Sequence, residues 1–159
     1  MTIADGALED GRQSARALEI QRGACRLLRA LGAAPLTELT LADGRRADIA
    51  ALFDNGDIWM VEVKSSLADF RADQKWPDYL AWCDRLFFAV APDFPREILP
   101  AEAGILLADR YGAEIVVEAP VTRLPAARRK AVTHRFARAA ALRLMTALDP
   151  EGAVPERWA

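Results

Sequence analysis

Two apolar segments on either side of an Asp54-Asn55-Gly56 turn constrain the fold more than any other part of the sequence. With a two-residue Asn-Gly loop, Asp48 would face Val63, and each side of the hairpin would mix apolar and charged side chains. With a three-residue loop, in which Gly56 takes the left-handed conformation, Asp48 faces Glu62. One side then collects almost only apolar residues, namely Ala47, Ile49, Ala51, Phe53, Trp59, Val61 and Val63. Because a buried face selects its register, the three-residue loop is predicted.

The polar end of this hairpin carries a candidate catalytic cluster. The register places Asp48 opposite Glu62, and Lys64 follows on the same side of its strand. Two facing carboxylates destabilise a sheet unless a cation lies between them. Mg²⁺ prefers such oxygen ligands together with a nearby main-chain carbonyl, and a lysine can polarise a bound water. Two acids, an ammonium and a metal form a minimal site for phosphodiester hydrolysis. The alternative is an exposed Glu62–Lys64 pair with a solvated Asp48.

The order of the predicted elements indicates an α/β sandwich with a mixed sheet. Apolar residues at helical spacing predict a helix over Arg12–Leu31, which Gly32 ends. Strands are predicted over Leu36–Leu41, Arg45–Phe53, Asp57–Lys64, Arg85–Ala91, Ile105–Ala108 and Glu114–Glu118. Further helices are predicted over Phe70–Cys83, interrupted or restarted at Pro77, which suits the first turn of a helix, and over Ala126–Leu148. The length of 159 residues suits one domain over 1–159, with a core over about 12–148.

Residue counts exclude several familiar chemistries. Cys25 and Cys83 form no Cys-x-x-Cys pair, and the one histidine, His134, cannot complete a zinc site or a Ser-His-Asp triad. His134 is expected to be a surface or structural residue. No apolar run approaches the ~20 residues of a membrane span, and Met1–Asp10 lacks the pattern of a signal peptide. We therefore expect no membrane association and a cytoplasmic location, with chemistry left to carboxylates, lysine, arginine or hydroxyl groups.

The charges are unevenly distributed, although the formal net charge is only −2. Residues 43–109 contain thirteen acids and seven bases, whereas Ala126–Leu148 contains six bases and no acid. The segment Arg12–Leu31 adds five bases and one acid. An acidic centre between two basic helices suits a cation site flanked by phosphate-binding surfaces; the alternative is a set of solvated helix faces. Only three of the 21 basic residues are lysines, and two of these are Lys64 and Lys75.

The motif Arg46-Ala47-Asp48, followed after thirteen residues by Glu62-Val63-Lys64, resembles the D…E-x-K core of the PD-(D/E)xK nuclease superfamily. Ala47 replaces the proline of that name. Longer strings are similar to the bacterial MmcB-type DNA-repair family: Gly44-Arg45-Arg46-Ala47-Asp48, Val61-Glu62-Val63-Lys64-Ser65-Ser66, Asp69-Phe70-Arg71-Ala72-Asp73, Lys75-Trp76-Pro77-Asp78-Tyr79 and Cys83-Asp84-Arg85-Leu86-Phe87-Phe88-Ala89-Val90. The resemblance implies a restriction-endonuclease-like three-layer sandwich, a mixed sheet flanked by helices, and a role in DNA damage tolerance.

The resemblance also implies a set of metal ligands. Asp48 and Glu62 would bind Mg²⁺ or Mn²⁺ with the help of the Val63 carbonyl, and Lys64 would serve the attacking water. Members of the superfamily often add a glutamate from the first helix, and Glu19 is the only acid within that helix here. The alternative for Glu19 is an ion pair with an arginine on the same helix face.

The expected DNA-binding residues are Arg22 and Arg26 on the first helix, Arg46 near Asp48, and Gln74, Lys75, Trp76 and Tyr79 after the third strand. In the superfamily, a Gln or Lys often follows that strand, and Lys75 would contact a phosphate; the alternative is a solvated charge. The two aromatic residues would stack on bases, and the alternative is that they belong to the core. Ser66 is expected to begin a helix, because the segment that it opens resembles a capping box.

These observations lead us to expect a metal-dependent DNA repair nuclease that hydrolyses phosphodiester bonds in damaged or branched DNA. The alternative is a catalytically inactive nuclease-fold module that binds DNA or a repair partner. A third interpretation, a small-molecule or structural α/β protein, leaves the opposed acids unexplained. DNA is the expected partner, and a homodimer or a complex with a repair protein is compatible with this interpretation.

Overall fold

A mixed six-stranded sheet forms the middle layer of the protein. The computed structural model describes residues 14–152, so Arg12 and the segment Met1–Asp10 lie outside the described residues. The strands follow one another across the sheet in chain order: β1 Ala34–Thr40, β2 Arg46–Leu52, β3 Ile58–Lys64, β4 Arg85–Val90, β5 Gly104–Ala108 and β6 Ala113–Val117. The pairs β3–β4 and β4–β5 are parallel and the other pairs are antiparallel. The predicted mixed sheet is confirmed.

The β2–β3 hairpin has the predicted register. Ile49 pairs with Val61, which places Asp48 opposite Glu62 on the neighbouring strand. Gly56 closes the three-residue loop with a φ of +90°, a left-handed conformation that glycine adopts without steric strain. The two candidate metal ligands therefore lie at the same level of the sheet.

Within the part of the chain that the structure describes, one face of the sheet is covered by the helix α1 (Ala15–Ala30). Its buried side chains pack against the apolar side of the hairpin, and they are Ala17, Ile20, Ala24 and Leu28. Ser14 caps the helix, because its Oγ accepts a hydrogen bond from the Ala17 N–H at 3.1 Å. Gly32 follows the last turn with a φ of +89°. This confirms the predicted amphipathic helix within the described residues.

The opposite face is covered by three helices, which completes the predicted three-layer sandwich. α2 (Leu67–Ala72) and a 3₁₀ helix (Trp76–Trp82) follow β3, and α3 (Ala126–Leu148) packs near β1. These helices cover a second buried cluster around Met60 and Phe88. α3 buries only Val132 fully, as its weak apolar stripe suggests. No helix within residues 14–152 combines the length and hydropathy needed to span a bilayer.

The helix predicted over Phe70–Cys83 is divided in two. Ser66 caps α2 as predicted, since its Oγ accepts a hydrogen bond from the Asp69 N–H at 3.0 Å. The backbone becomes extended at Asp73, with φ −115° and ψ 100°, and then continues as the 3₁₀ helix with Pro77 in its first turn. A proline has no N–H and disfavours the α conformation of the residue before it, so one continuous helix is prevented.

Ala47 departs from the predicted apolar side of the hairpin. The sequence places it with Ile49 on the α1 side, whereas the structure buries it in the cluster around Met60. Its partner on β1 is Leu39, which follows Glu38, a residue with a φ of +54°. Because β1 turns at this left-handed residue, the strict alternation of side chains does not extend beyond Ile49.

A buried carboxylate joins α3 to the sheet. Asp84, immediately before β4, accepts hydrogen bonds from the Ile58 N–H at 2.8 Å and the Leu124 N–H at 2.9 Å. Both terminal nitrogens of Arg129 donate to it at 2.7 Å. Burial would raise the pKa of Asp84, but hydrogen bonds from Arg129 and the two backbone groups lower it to about 2. This charge is satisfied by protein atoms, and it fixes the first turns of α3.

Candidate functional site

Backbone pairing between β2 and β3 stops just before the two acids. The last regular pair is Ile49–Val61. Beyond it, the Asp48 N–H donates to Glu62 Oε1 at 3.1 Å, and the Val63 N–H donates to Asp48 Oδ2 at 2.8 Å. Each carboxylate accepts a backbone hydrogen bond where the ladder has ended, so the two acids are fixed at the open end of the hairpin.

Asp48 and Glu62 form an acid pair that is poorly hydrated. Glu62 is 3% exposed; burial raises its pKa well above the usual range, and the negative charge of Asp48 raises it further. Burial also raises the pKa of Asp48, against the opposing effects of the Val63 N–H and Lys64. Two ionised carboxylates that face each other repel, so this pair favours the uptake of a proton or a cation.

Lys64 lies beside the acid pair and is only 4% exposed. Its Nζ donates to Asp73 Oδ2 at 3.2 Å, and Asp73 is its ion-pair partner within the described chain. The positive charge of Lys64 lowers the pKa of both Asp48 and Glu62. The structure therefore brings the three candidate catalytic residues together, with the ammonium held by an acid that the sequence analysis did not single out.

The donor set fits a hard divalent cation. Asp48 and Glu62 supply carboxylate oxygens, and Mg²⁺ commonly takes one or two protein carboxylates and completes its shell with water and phosphate. The N–H and C=O of one strand residue point to the same side, so the Val63 carbonyl is directed toward Asp48 as its N–H is. In residues 14–152, no group of three or more Asp, Glu, His or Cys side chains is arranged to hold a metal. A cation here would therefore depend on two carboxylates and one backbone oxygen.

Glu19 is not brought to the acid pair. It is exposed on α1, and α1 packs on the face of the sheet that holds Val61 and Val63. Glu62 alternates with these two valines along β3 and therefore points to the opposite face. The structure thus contradicts the assignment of Glu19 as a metal ligand, because the helix that carries it covers the other side of the sheet.

Three of the candidate DNA-binding residues are exposed near the acid pair. Arg46 begins β2, and Gln74 and Lys75 lie in the segment between α2 and the 3₁₀ helix. The amide of Gln74 donates to the Phe70 carbonyl at 2.7 Å, so its nitrogen is engaged at the end of α2. Arg46 and Lys75 present exposed positive charges next to the site.

The two basic helices lie on opposite faces of the sheet. Arg22 and Arg26 are exposed on α1, where Arg26 donates to the Tyr111 carbonyl at 3.1 Å. α3 lies on the face of the acid pair, and it exposes Lys130 and, as expected, His134. The helix that shares a face with the acid pair is therefore α3, whereas the two α1 arginines lie across the sheet from it.

The aromatic residues expected to stack on bases belong to the core. Tyr79 is 6% exposed, and its hydroxyl donates to the Arg46 carbonyl at 2.8 Å. Burial, together with the nearby acid pair, raises the pKa of Tyr79. Trp76 is half-buried and packs edge-on against Phe88, with ring centres 5.9 Å apart. The assignment of Tyr79 to base stacking is wrong, because the 3₁₀ helix turns this ring toward the sheet.

Two acids next to the site were not assigned a role from the sequence. Asp73 holds Lys64, and Asp69 Oδ2 accepts a hydrogen bond from the Ser65 N–H at 3.0 Å. The charge of Asp69 also raises the pKa of Asp48. Asp69 and Asp73 lie four residues apart and follow Lys64, one of only three lysines in the chain. This spacing is the sequence signal that could have indicated them.

Comparisons with known proteins agree with this architecture. A family model described as DNA repair protein MmcB-like matches residues 4–151. A solved structure of SPO1766, a protein of unknown function from Silicibacter pomeroyi, is 48% identical to this chain and superposes with a TM-score of 0.86. The similarity covers 91% of this chain and 99% of that one. No curated protein matches the sequence.

Proposed function

The chain belongs to the MmcB-like DNA repair family, and from this premise we propose that it is a metal-dependent nuclease that hydrolyses phosphodiester bonds in damaged or branched DNA. One observation carries the proposal: a buried Glu62 and a half-buried Asp48, both with raised pKa values, face each other where the hairpin opens, beside a buried ammonium. A merely structural pair of this kind destabilises the fold. A divalent cation between the acids reverses that effect.

In this proposal Asp48, Glu62 and the Val63 carbonyl hold Mg²⁺ or Mn²⁺. The bound metal supplies a Lewis acid and lowers the pKa of a water. The protein contributes geometry, because the backbone N–H groups of Asp48 and Val63 fix the two carboxylates at the end of the strands. Hydrolysis forms one bond between a water oxygen and phosphorus and breaks one ester P–O bond.

Lys64 stabilises the negative charge that develops on the phosphate during this exchange. An ammonium that is 4% exposed acts with little screening by water, so its effect on charge is larger than at the surface. Lys64 also presents its charge as a compact ammonium, unlike the planar guanidinium of an arginine. Lys64 is therefore proposed as the electrostatic member of the catalytic group.

The remaining positive residues are proposed to hold the DNA backbone. Arg46 and Lys75 lie next to the acid pair, and the bases of α3 extend along the same face. Contacts of this kind provide affinity that falls steeply with salt but carry no sequence information. The α1 residues Arg22 and Arg26 would serve only DNA that also reaches the other face.

A second candidate is a nuclease-fold module that binds DNA or a repair partner without cutting. It is favoured by the engagement of Lys64 with Asp73 at 3.2 Å and by the absence of a third side-chain ligand within residues 14–152. Both candidates require nucleic-acid or repair-protein binding, whereas only the nuclease requires the metal.

A substrate panel separates the two candidates. Duplex, single-stranded, flap and four-way DNA are incubated with Mg²⁺ or Mn²⁺ and either wild-type protein, Asp48→Asn or Asp78→Asn. Asp78 is exposed, pairs with Arg45 at the surface and serves as the matched control. The nuclease cuts at least one substrate, Asp78→Asn cuts it equally well, and Asp48→Asn does not. Cutting by Asp48→Asn at the wild-type rate contradicts the proposed site, and binding of DNA without any cutting favours the second candidate.

A further inference from the structure

The Asp73 carboxylate lies between two of the three lysines of the protein. Its Oδ2 accepts the hydrogen bond from Lys64 Nζ at 3.2 Å, and its Oδ1 accepts one from the Lys75 backbone N–H at 3.0 Å. Burial alone would raise the pKa of Asp73, but the hydrogen bond from the Lys75 N–H and the charge and hydrogen bond of Lys64 lower it. The Asp73 carboxylate thus joins the Lys64 ammonium to the Lys75 backbone N–H, next to the acid pair.

Asp73 stands on the solvent side of Lys64. The Asp73 side chain is 40% exposed, whereas that of Lys64 is 4% exposed. An anion that approaches Lys64 from solution therefore meets Asp73 first. Within the described chain no other acid forms an ion pair with Lys64, and Asp48 and Glu62 engage backbone N–H groups instead.

The Asp73 side chain is held by one ion pair and one backbone hydrogen bond. Asp73 is the residue after α2, with an extended backbone, and its N–H donates to the Asp69 carbonyl at 3.3 Å. The 3₁₀ helix begins three residues later. Rotation of this side chain breaks one ion pair and one backbone hydrogen bond, and it leaves the packed parts of both helices unchanged.

We infer that the Lys64 ammonium and the Lys75 backbone N–H form a phosphate subsite, and that Asp73 occupies it in the free protein as an internal competitor. A phosphate of the nucleic-acid backbone displaces the Asp73 carboxylate and accepts hydrogen bonds from these two donors in its place. No covalent bond changes in this step, which exchanges one anion for another. The inference rests on the proposed function, because it identifies Lys64 as the group that meets the substrate phosphate.

The two possible roles of Asp73, as a competitor of phosphate or as a support for Lys64, predict opposite effects when its charge is removed. If Asp73 only orients Lys64, its removal weakens binding and catalysis. If Asp73 competes with phosphate, its neutralisation strengthens phosphate binding, because the substrate no longer has to displace a carboxylate. Asp73→Asn is the appropriate change, since it keeps the size and one acceptor oxygen of a side chain that is 40% exposed.

The test is the affinity for a fluorescein-labelled single-stranded 20-mer, measured by fluorescence anisotropy in EDTA at fixed salt. We expect Asp73→Asn to bind about five-fold more tightly than wild type, the size of one moderate ion pair. Asp78→Asn removes an equal charge from a carboxylate that pairs with Arg45, and it should change affinity by less than about two-fold. Asp73→Glu restores the anion and should return the affinity to the wild-type value.

A double variant ties the effect to the lysine. In a Lys64→Met background, Asp73→Asn should raise the affinity for the 20-mer by no more than Asp78→Asn does. An equal gain in both backgrounds, a gain shared by Asp78→Asn, or no gain at all overturns the inference. If Asp73→Asn does not fold, as judged by circular dichroism, Asp73→Ser takes its place in the same comparison.

Failure of this inference and failure of the proposed hydrolysis give different results. The affinities are measured without metal, so they do not depend on cutting. If Asp73→Asn binds DNA more tightly but no substrate is cleaved, the phosphate subsite is supported and the proposed nuclease activity is contradicted. If cleavage depends on Asp48 but Asp73→Asn gains no DNA affinity, the nuclease is supported and the role of Asp73 as a competitor is contradicted.

Discussion

Asp84 and Glu62 are both almost completely buried acids, yet their surroundings have opposite effects on them. Asp84 accepts hydrogen bonds from Arg129 and from two backbone N–H groups, which lower its pKa to about 2. Glu62 accepts one backbone hydrogen bond and faces Asp48, and its pKa is raised well above the usual range. Asp84 is therefore ionised with its hydrogen-bonding capacity satisfied, whereas Glu62 has too little positive charge around it to favour ionisation.

The comparison shows that burial alone does not identify a functional acid. What distinguishes the two sites is the number of donors around each carboxylate. An acid that protein donors satisfy holds the fold together, as Asp84 holds α3. An acid pair with one backbone donor for each carboxylate can still take up a proton or a metal, and perturbed groups of this kind concentrate at functional sites.

The largest effect is expected from Glu62→Gln. Glutamine keeps the shape and the acceptor for the Asp48 N–H, but a neutral amide is a poor ligand for a divalent cation. Under the proposed hydrolysis we expect a loss of about 10²–10³-fold in the initial rate of DNA cleavage, with an unchanged circular dichroism spectrum. Undiminished cleavage by this variant would show that the reaction occurs elsewhere.

Asp84→Asn should show the opposite pattern, with a loss of stability rather than of DNA cleavage. The change leaves Arg129 without its buried counter-charge, and we expect the free energy of unfolding to fall by roughly 3 kcal/mol. Urea denaturation measures the loss. The matched control is Asp57→Asn, which removes a surface pair with the 67%-exposed side chain of Arg123 and should cost less than about 1 kcal/mol. Equal losses in both variants would contradict the structural role of Asp84.

The pH dependence of stability should separate the two sites. The folded pKa of Asp84 is below its unfolded value of about 4, so its stabilisation, about 2 kcal/mol, is present above pH 4 and is lost as the pH falls toward 2. The folded pKa of Glu62 is raised. Its contribution is therefore present below about pH 4.5 and is lost as the pH rises through the raised value.

Melting temperatures between pH 2 and pH 9 measure both effects. Glu62→Gln should lose the decline on the alkaline side, and Asp84→Asn should lose the decline on the acid side. Parallel curves for wild type and both variants would mean that neither acid titrates differently in the folded and unfolded states.

The smallest effect is expected from Lys64→Arg. The charge is kept, but a planar guanidinium replaces a compact ammonium at a position that is 4% exposed. We expect about a ten-fold lower cleavage rate and little change in DNA affinity, measured on the same substrate. Full activity would show that any positive charge suffices at this position.

The hairpin shows what the sequence predicts well. A face of alternating apolar residues has one register that buries it, so the pairing of Ile49 with Val61 and the juxtaposition of Asp48 and Glu62 could be derived. The prediction failed at Ala47, where β1 turns at Glu38. Local periodicity cannot anticipate a bend that arises in a neighbouring strand.

Partners that are distant in sequence could not be predicted. The donors to Asp84 lie 26, 40 and 45 residues away along the chain, and they meet only once β3 and α3 have packed. Glu19 could not be placed, because sequence does not state which face of the sheet α1 covers. The engagement of Lys64 by Asp73 depends on the break between α2 and the 3₁₀ helix.

Titration calorimetry with Mn²⁺ tests the central claim, that the acid pair is a cation site, most directly. We predict that wild type and Asp57→Asn bind one Mn²⁺ and release a proton from the pair, so that the measured heat depends on the ionisation enthalpy of the buffer. Asp48→Asn should show no such binding. Equal binding by Asp48→Asn, or no binding by the wild type at millimolar Mn²⁺, would contradict the claim.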